Sequence, residues 1–421
     1  MAAGWVPSNE PWWEPLSPVI SFFKIRYSYG VVGNDSSNGR FTYFAKLKNE
    51  GLNFTNYWTS NGATSRWFYE SYGYEPMWSR VHKHDLGIEL NFFNNDLTLV
   101  VDLFKEKRDH IFVERTNLPF LAGLEANPYA NIGVVENKGF EISAEYSKRF
   151  GNDWLISLRG NMTYNKDEVI ENAQATPAYP WLDRRGHNVL AEWGFVAEGL
   201  YTSKEQIQER GITQFGETYP GQLVKPGDIM YKDLNGDGHI DDYDKTCISR
   251  GDIPQIYYGF GGDFRYKNIG LGVLFQGTAR ADRLLGNGDA DGIKPFQNSS
   301  GGGTVYANIS DRWDPENPEK TDVFYPRLAW GATDPSNENN FKTSTWWKKD
   351  MSFLRLKQFT VSFYFPKAWQ KSVFKGGRFY LMGENVFTIS KFKLWDPELN
   401  TNNGIKYPNV RTFSIGVNFN I

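Results

Sequence analysis

Residues 411–421 read RTFSIGVNFNI, and their alternation decides the fold. Phe413, Ile415, Val417, Phe419 and Ile421 fall on one side of an extended chain, and Thr412, Ser414, Gly416, Asn418 and Asn420 on the other. A strand turns successive side chains to opposite faces. Period two over about ten residues therefore makes a ribbon with one apolar and one wet face, long enough to cross a bilayer when tilted. The pattern recurs upstream. Trp154, Ile156, Leu158, Met162 and Tyr164 oppose Ser157, Arg159, Asn161 and Thr163, and Phe140, Ile142, Ala144 and Tyr146 oppose Glu141, Ser143, Glu145 and Ser147.

Ten such strands are predicted, at 22–32, 85–93, 97–109, 138–148, 154–165, 255–266, 269–278, 352–365, 378–389 and 410–420. In 352–365 the apolar phase shifts between Leu354/Leu356 and Phe359/Val361/Phe363, as a β-bulge would produce. Tight turns at 94–96, 149–153 and 267–268 alternate with long connections at 33–84, 110–137, 166–254, 279–351 and 390–409; the link at 366–377 is intermediate. The short turns thus gather on one edge of the sheet and the long loops on the other. A soluble sandwich has no reason to sort its loops. A transmembrane β-barrel does, with short turns inside and long loops outside. Closure also satisfies every backbone N–H and C=O in hydrocarbon.

Composition agrees. Aromatic residues are 16% of the chain and glycines number 41, which favours strands and turns over helices. The mean hydropathy of −0.54 excludes a helical membrane protein but leaves a barrel open. A net charge of −3 speaks against nucleic acid as a partner. The single cysteine, Cys247, excludes a disulfide scaffold. One short helix is expected within 200–211, capped by Ser203.

Two constellations carry candidate chemistry. Residues 233–244 read DLNGDGHIDDYD, a calcium-type loop with oxygen donors at Asp233, Asn235, Asp237, Asp241 and Asp244. His239 would offer its backbone carbonyl, and Gly238 permits the sharp turn. A structural Ca²⁺ there would stiffen the long loop 166–254. The second constellation is aromatic. Trp58, Trp67, Tyr69, Tyr72 and Trp78 crowd the first long loop and make a candidate substrate-stacking surface. Catalytic templates are missing. Pairs such as Asp183/Asp228 or Glu192/Glu198 could be imagined as glycosidase carboxylates, but any loop-rich chain offers such pairs, so no enzyme is expected.

Several segments, in order, resemble the SusC/RagA-type TonB-dependent transporters of Bacteroidetes outer membranes: KIRYSYGVVGND (24–35), ENKGFEISAEYSKRFGNDWLISLRGNMTYNKDEVI (136–170), PGDIMYKDLNGDGHIDDYDKTCISRGDIPQIYYGFGGDFRYKNIGLGVLFQG (226–277), GENVFTIS (383–390), DPE (396–398) and YPNVRTFSIGVNFNI (407–421). The resemblance implies an all-β fold, the C-terminal ten or so strands of a 22-strand barrel spanning 22–421 after a lead-in at 1–21. Its signal peptide and plug domain would lie outside this chain, which would then be a fragment. It also implies nutrient uptake, of oligosaccharide or peptide, energised through the TonB complex and assisted by a SusD-like surface lipoprotein. The competing reading is a secreted or surface carbohydrate-binding β-protein with a structural calcium and no transport.

Overall fold

The protein is described from a computed structural model that places all residues except 36–42, 54–62, 75–76, 119–126, 286–292, 297–304, 332, 370–374 and 421. An 11-stranded sheet dominates it. Its strands are β1 (Ala2–Trp5), β2 (Ile20–Asn34), β3 (Ser79–Phe92), β4 (Leu97–Glu114), β5 (Tyr129–Phe150), β6 (Trp154–Glu171), β7 (Ile256–Tyr266), β8 (Ile269–Ala279), β9 (Phe353–Tyr364), β10 (Gly376–Ser390) and β11 (Thr412–Asn420). Spatial order follows sequence order, and every neighbouring pair is antiparallel. All ten expected strands are present. The eleventh, β1, lies inside the stretch read as a lead-in. It pairs Ala2–Trp5 with Ile25–Ser28 and is tied back through 3-10 turns, where the Trp13 indole donates to the Ile20 carbonyl at 3.0 Å.

The register keeps the two faces separate from strand to strand. One lateral row runs Phe92, Leu97, Tyr146, Leu158, Gly262, Val273, Phe359, Gly383, Phe413. A row on the opposite face runs Lys24, Glu89, Val100, Ser143, Asn161, Gly259, Gln276, Arg355, Thr388. The phase shift in β9 is resolved by a bulge. Leu356 pairs with Phe275 and Gln358 with Leu274, so Lys357 is the extra residue and the apolar side chains regain their face. In the tight turn after β3, Phe93, Asn94 and Asn95 all take positive φ, a conformation asparagine tolerates well.

The strands also overrun their apolar bands on the long-loop side. β5 holds 22 residues and β6 18, and their outer segments (Glu136, Asn137, Lys138; Lys166, Asp167, Glu168) are polar on both faces.

Few sheet residues are buried, and most of the dry core lies in the long connections. Phe195, Leu200, Ile229, Tyr231, Ile240 and Trp313 form one cluster; Ala281, Leu285, Ile293, Tyr325, Trp347, Met351 and Phe392 form another. The segments 172–255 and 280–352 are therefore packed together. The expected helix is present as α1 (Lys204–Arg210), with Ser203 accepting from the Gln206 N–H and Gly211 closing it at φ 68°. A second short helix, α2 (Pro335–Asn340), supplies buried asparagines to the junction. Asn340 Oδ1 accepts from Ile229 N at 2.8 Å, and Asn339 Oδ1 from Gln214 Nε2 at 2.8 Å.

Candidate functional site

The polar face of the sheet is cross-linked by charge. Arg26 on β2 donates to Asp85 at 2.9 Å and to Glu89 at 3.2 Å on β3, and it reaches Asp102 on β4. Lys24 joins Glu89 at 3.0 Å. Farther round, Arg159 meets Asp263 at 3.3 Å. Paired ions half open to solvent belong beside water, not against hydrocarbon, so this face borders an aqueous interior and the apolar face meets lipid.

Where the polar face rises toward the long loops, a cavity of about 560 Å³ opens in its wall. Val81, Val135, Leu190 and Ile253 give it aliphatic sides; Glu106, Arg108, Asp167 and Arg250 bring both signs of charge. No ring lines it. Two amide oxygens at its edge, Asn137 Oδ1 and Gln255 Oε1, are buried with no hydrogen-bond partner among the described residues. Asp167 is held in place by Asn188 Nδ2 at 2.8 Å and Val189 N at 2.6 Å. Unpaired buried acceptors beside a cavity call for a donor from a bound molecule or water.

Elsewhere the packed loops meet on one carboxylate. Asp228 is fully buried and accepts from Arg327 Nε at 3.1 Å, Lys225 N at 2.9 Å, Ser336 Oγ at 2.8 Å and Asn340 Nδ2 at 2.9 Å. Burial pushes its carboxyl up, while Arg327 and the hydrogen bonds pull it down. It is a structural pin. Asp183 binds its own neighbour Arg185 at 2.7 Å. Burial also pushes the Cys247 thiol up, away from a reactive thiolate.

The calcium-type loop is compact. Asp233 accepts from Gly236 N at 2.7 Å and Gly238 N at 2.9 Å, and both glycines sit at positive φ. Asn235 Oδ1 accepts from Asp237 N at 3.1 Å, and Asp237 Oδ1 from His239 N at 2.8 Å. Asp244 folds back across the loop to accept from Leu234 N at 2.7 Å and Asp241 N at 2.9 Å. Asp241 in turn accepts from Tyr243 N at 2.8 Å. The His239 ring is turned to the Thr213 hydroxyl through Nδ1. Among the described residues no three His, Cys, Asp or Glu side chains are gathered for a metal. An ion here would also draw on Asn235 and the His239 carbonyl. These are hard oxygen donors of the kind Ca²⁺ takes, and each oxygen that accepts an N–H keeps a second lone pair.

Of the candidate stacking residues, Trp58 lies outside the described residues. Trp67, Tyr69 and Tyr72 lie on a strand, Ala63–Tyr72, that forms a hairpin with Ala45–Asn53. Trp78 is 65% exposed and lies over Gly33 of β2, where a Cβ would come within 2.7 Å of the indole.

A family model described as "TonB dependent receptor-like, beta-barrel" matches residues 13–246. The chain belongs to that family. Its relatives include TonB-dependent receptor P3 of Formosa agariphila, 26% identical over 96% of this chain and 38% of the relative, and TonB-dependent receptor SusC of Bacteroides thetaiotaomicron, 23% identical over 99% of this chain and 39% of the relative. The chain thus spans about two-fifths of the length of the curated relatives it matches. The fold is that of a solved RagAB peptide importer in an open-open state, with a TM-score of 0.67 at 20% identity, covering 99% of this chain and 42% of that one. This is a family of outer-membrane β-barrel receptors, not of enzymes, and the apolar face is the one it turns to the bilayer.

Proposed function

We propose that this chain forms part of the wall and outer vestibule of an importer for short oligomeric nutrients, energised through TonB and closed from outside by a SusD-like lipoprotein. The observation that carries it is a lipid-facing sheet whose wet face leads up to a cavity walled by packed loops, in a chain of this family. Of the two nutrient classes, peptide is the better match. Aliphatic walls, charges of both signs and unpaired amide oxygens suit a main chain rich in N–H donors with varied side chains. The solved RagAB structure that shares this fold is that of a peptide importer. The oligosaccharide reading rests on the exposed Trp78 and on Trp58, Trp67, Tyr69 and Tyr72 in the same loop. A structural Ca²⁺ at Asp233, Asn235, Asp237, the His239 carbonyl, Asp241 and Asp244 belongs to this proposal, bracing the loop beside the Asp228 pin.

The test is uptake by cells expressing the full-length protein, with labelled peptides and labelled oligosaccharides in parallel. Replacing both Glu106 and Arg250 by Gln should abolish peptide uptake and leave the protein in the outer membrane. Loss of sugar uptake instead would move the assignment to oligosaccharide. Uptake of neither by the unaltered protein would end the importer reading.

A further inference from the structure

The lipid-facing side of the sheet changes character in one step. The row Tyr27, Leu86, Leu103, Phe140, Tyr164, Ile256 is aromatic and aliphatic. The next row on the same face, two residues farther toward the long loops, is Tyr29, His84, Lys105, Lys138, Lys166. Three lysines on three adjacent strands stand directly opposite one another. Their cross-strand neighbours are only about 5 Å away, a spacing at which like charges repel. The sheet compensates only in part. Lys105 meets Glu136 at 3.2 Å and Lys166 meets Glu168 at 3.6 Å, whereas Lys138, and Lys107 one row higher, have no ion-pair partner among the described residues. Arg280, exposed at the end of β8, lies 5.8 Å from the centre of the Tyr164 ring and adds a further cation on the same side. Five cations therefore face two carboxylates.

Depth identifies the counter-charge. One pair step is about 6.6 Å along a strand, or roughly 5 Å along the membrane normal at the usual tilt. The lysine row thus stands just above the last residues that touch acyl chains, at the level of lipid headgroups. Tyr27 and Tyr29 bond to His84 at 2.7 Å and His82 at 2.9 Å, making a polar-tipped aromatic edge beside it. We propose that Lys105, Lys138 and Lys166, with Lys107 and Arg280, form a binding surface for the phosphate groups of outer-leaflet lipid, while Leu103, Phe140 and Tyr164 beneath them contact the same lipid's acyl chains. The proposal rests on which face meets lipid and is independent of the nutrient carried.

The test is reconstitution of the full-length protein into phosphatidylcholine vesicles with and without monophosphoryl lipid A, followed by measurement of the lipid A retained on the purified protein. Each cation at an anionic surface is worth about fivefold in binding, so replacing the three row lysines by Gln should weaken retention on the order of 100-fold. The corresponding Lys→Arg triple should retain it. Heat-modifiable gel mobility checks that each variant is inserted. Inorganic phosphate should not displace the lipid, because it lacks the acyl chains that Phe140 and Leu103 hold. Undiminished retention by the Gln triple overturns the proposal. Displacement by free phosphate overturns the assignment to lipid and leaves a simple anion site. Failure of the unaltered protein to insert into either vesicle refutes the lipid-facing assignment itself.

Discussion

Leu158 and Ser157 on β6 are adjacent in sequence and opposite in solvent. Leu158 is on the apolar face, beside Tyr146 on β5 and Gly262 on β7, and its methyl lies where a Cβ at Gly262 would meet it at 2.7 Å. The apolar face of β6 runs from Trp154 to Tyr164, about ten steps of roughly 3.3 Å. At a tilt of about 45° that is roughly 24 Å along the membrane normal, close to the apolar band of such barrels. Leu158 is near its middle. Arginine there should cost about 2–4 kcal/mol, a loss of roughly 30- to 1000-fold in the folding equilibrium. Ser157→Arg places the same side chain on the wet face, where Ser157 is in register with Asp263, and should cost less than about 1 kcal/mol. Arg159, also on that face, already pairs with Asp263. Denaturant titration of the vesicle-inserted protein, followed by tryptophan fluorescence and gel mobility, measures both variants. Equal losses, or a larger loss for Ser157→Arg, would refute the assignment of faces.

Three further outcomes follow from other parts of the molecule. Deleting Lys357 removes the bulge but leaves Leu356 and Phe359 two positions apart on one face, so outer-membrane assembly should persist, whereas deleting Thr360 turns Val361 and Phe363 to the wet face and assembly should fail. Asp228→Ala strands Arg327, Ser336 and Asn340 at about 3–5 kcal/mol, read as faster protease cleavage within 172–255 and 280–352 while heat-modifiability persists. Adding Ca²⁺ to chelated protein should slow cleavage near 233–244, and Asp237→Asn together with Asp233→Asn should abolish that protection; equal cleavage with and without the ion would remove calcium from the account.

The sheet was legible in sequence because its rule is local. Period two along β11, β6 and β5 assigns each side chain a face, and the slip between Leu356 and Phe359 locates the bulge to within three residues. β1 escaped because four residues carry no readable alternation. The upper ends of β5 and β6 escaped because they are wet on both faces, as in Glu136–Lys138 and Lys166–Glu168. The loop core is a long-range effect. Nothing local to Asp228 or to α2 announces that Asn340 and Arg327 close on that carboxylate from about a hundred residues away. The cavity is invisible for the same reason, since Glu106, Asp167 and Arg250 come from three different segments.

The protein answers to two solvents at once. Its sheet holds its shape by meeting hydrocarbon, whereas the cap made by its long connections holds itself together by shedding water around Ile229, Tyr231, Ile240, Tyr325 and Trp347. Bilayer thickness should act on the first and leave the second alone, and urea should soften the cap well before it breaches the wall. The outer surface can thus loosen, refold or diverge in evolution without disturbing the anchorage beneath it.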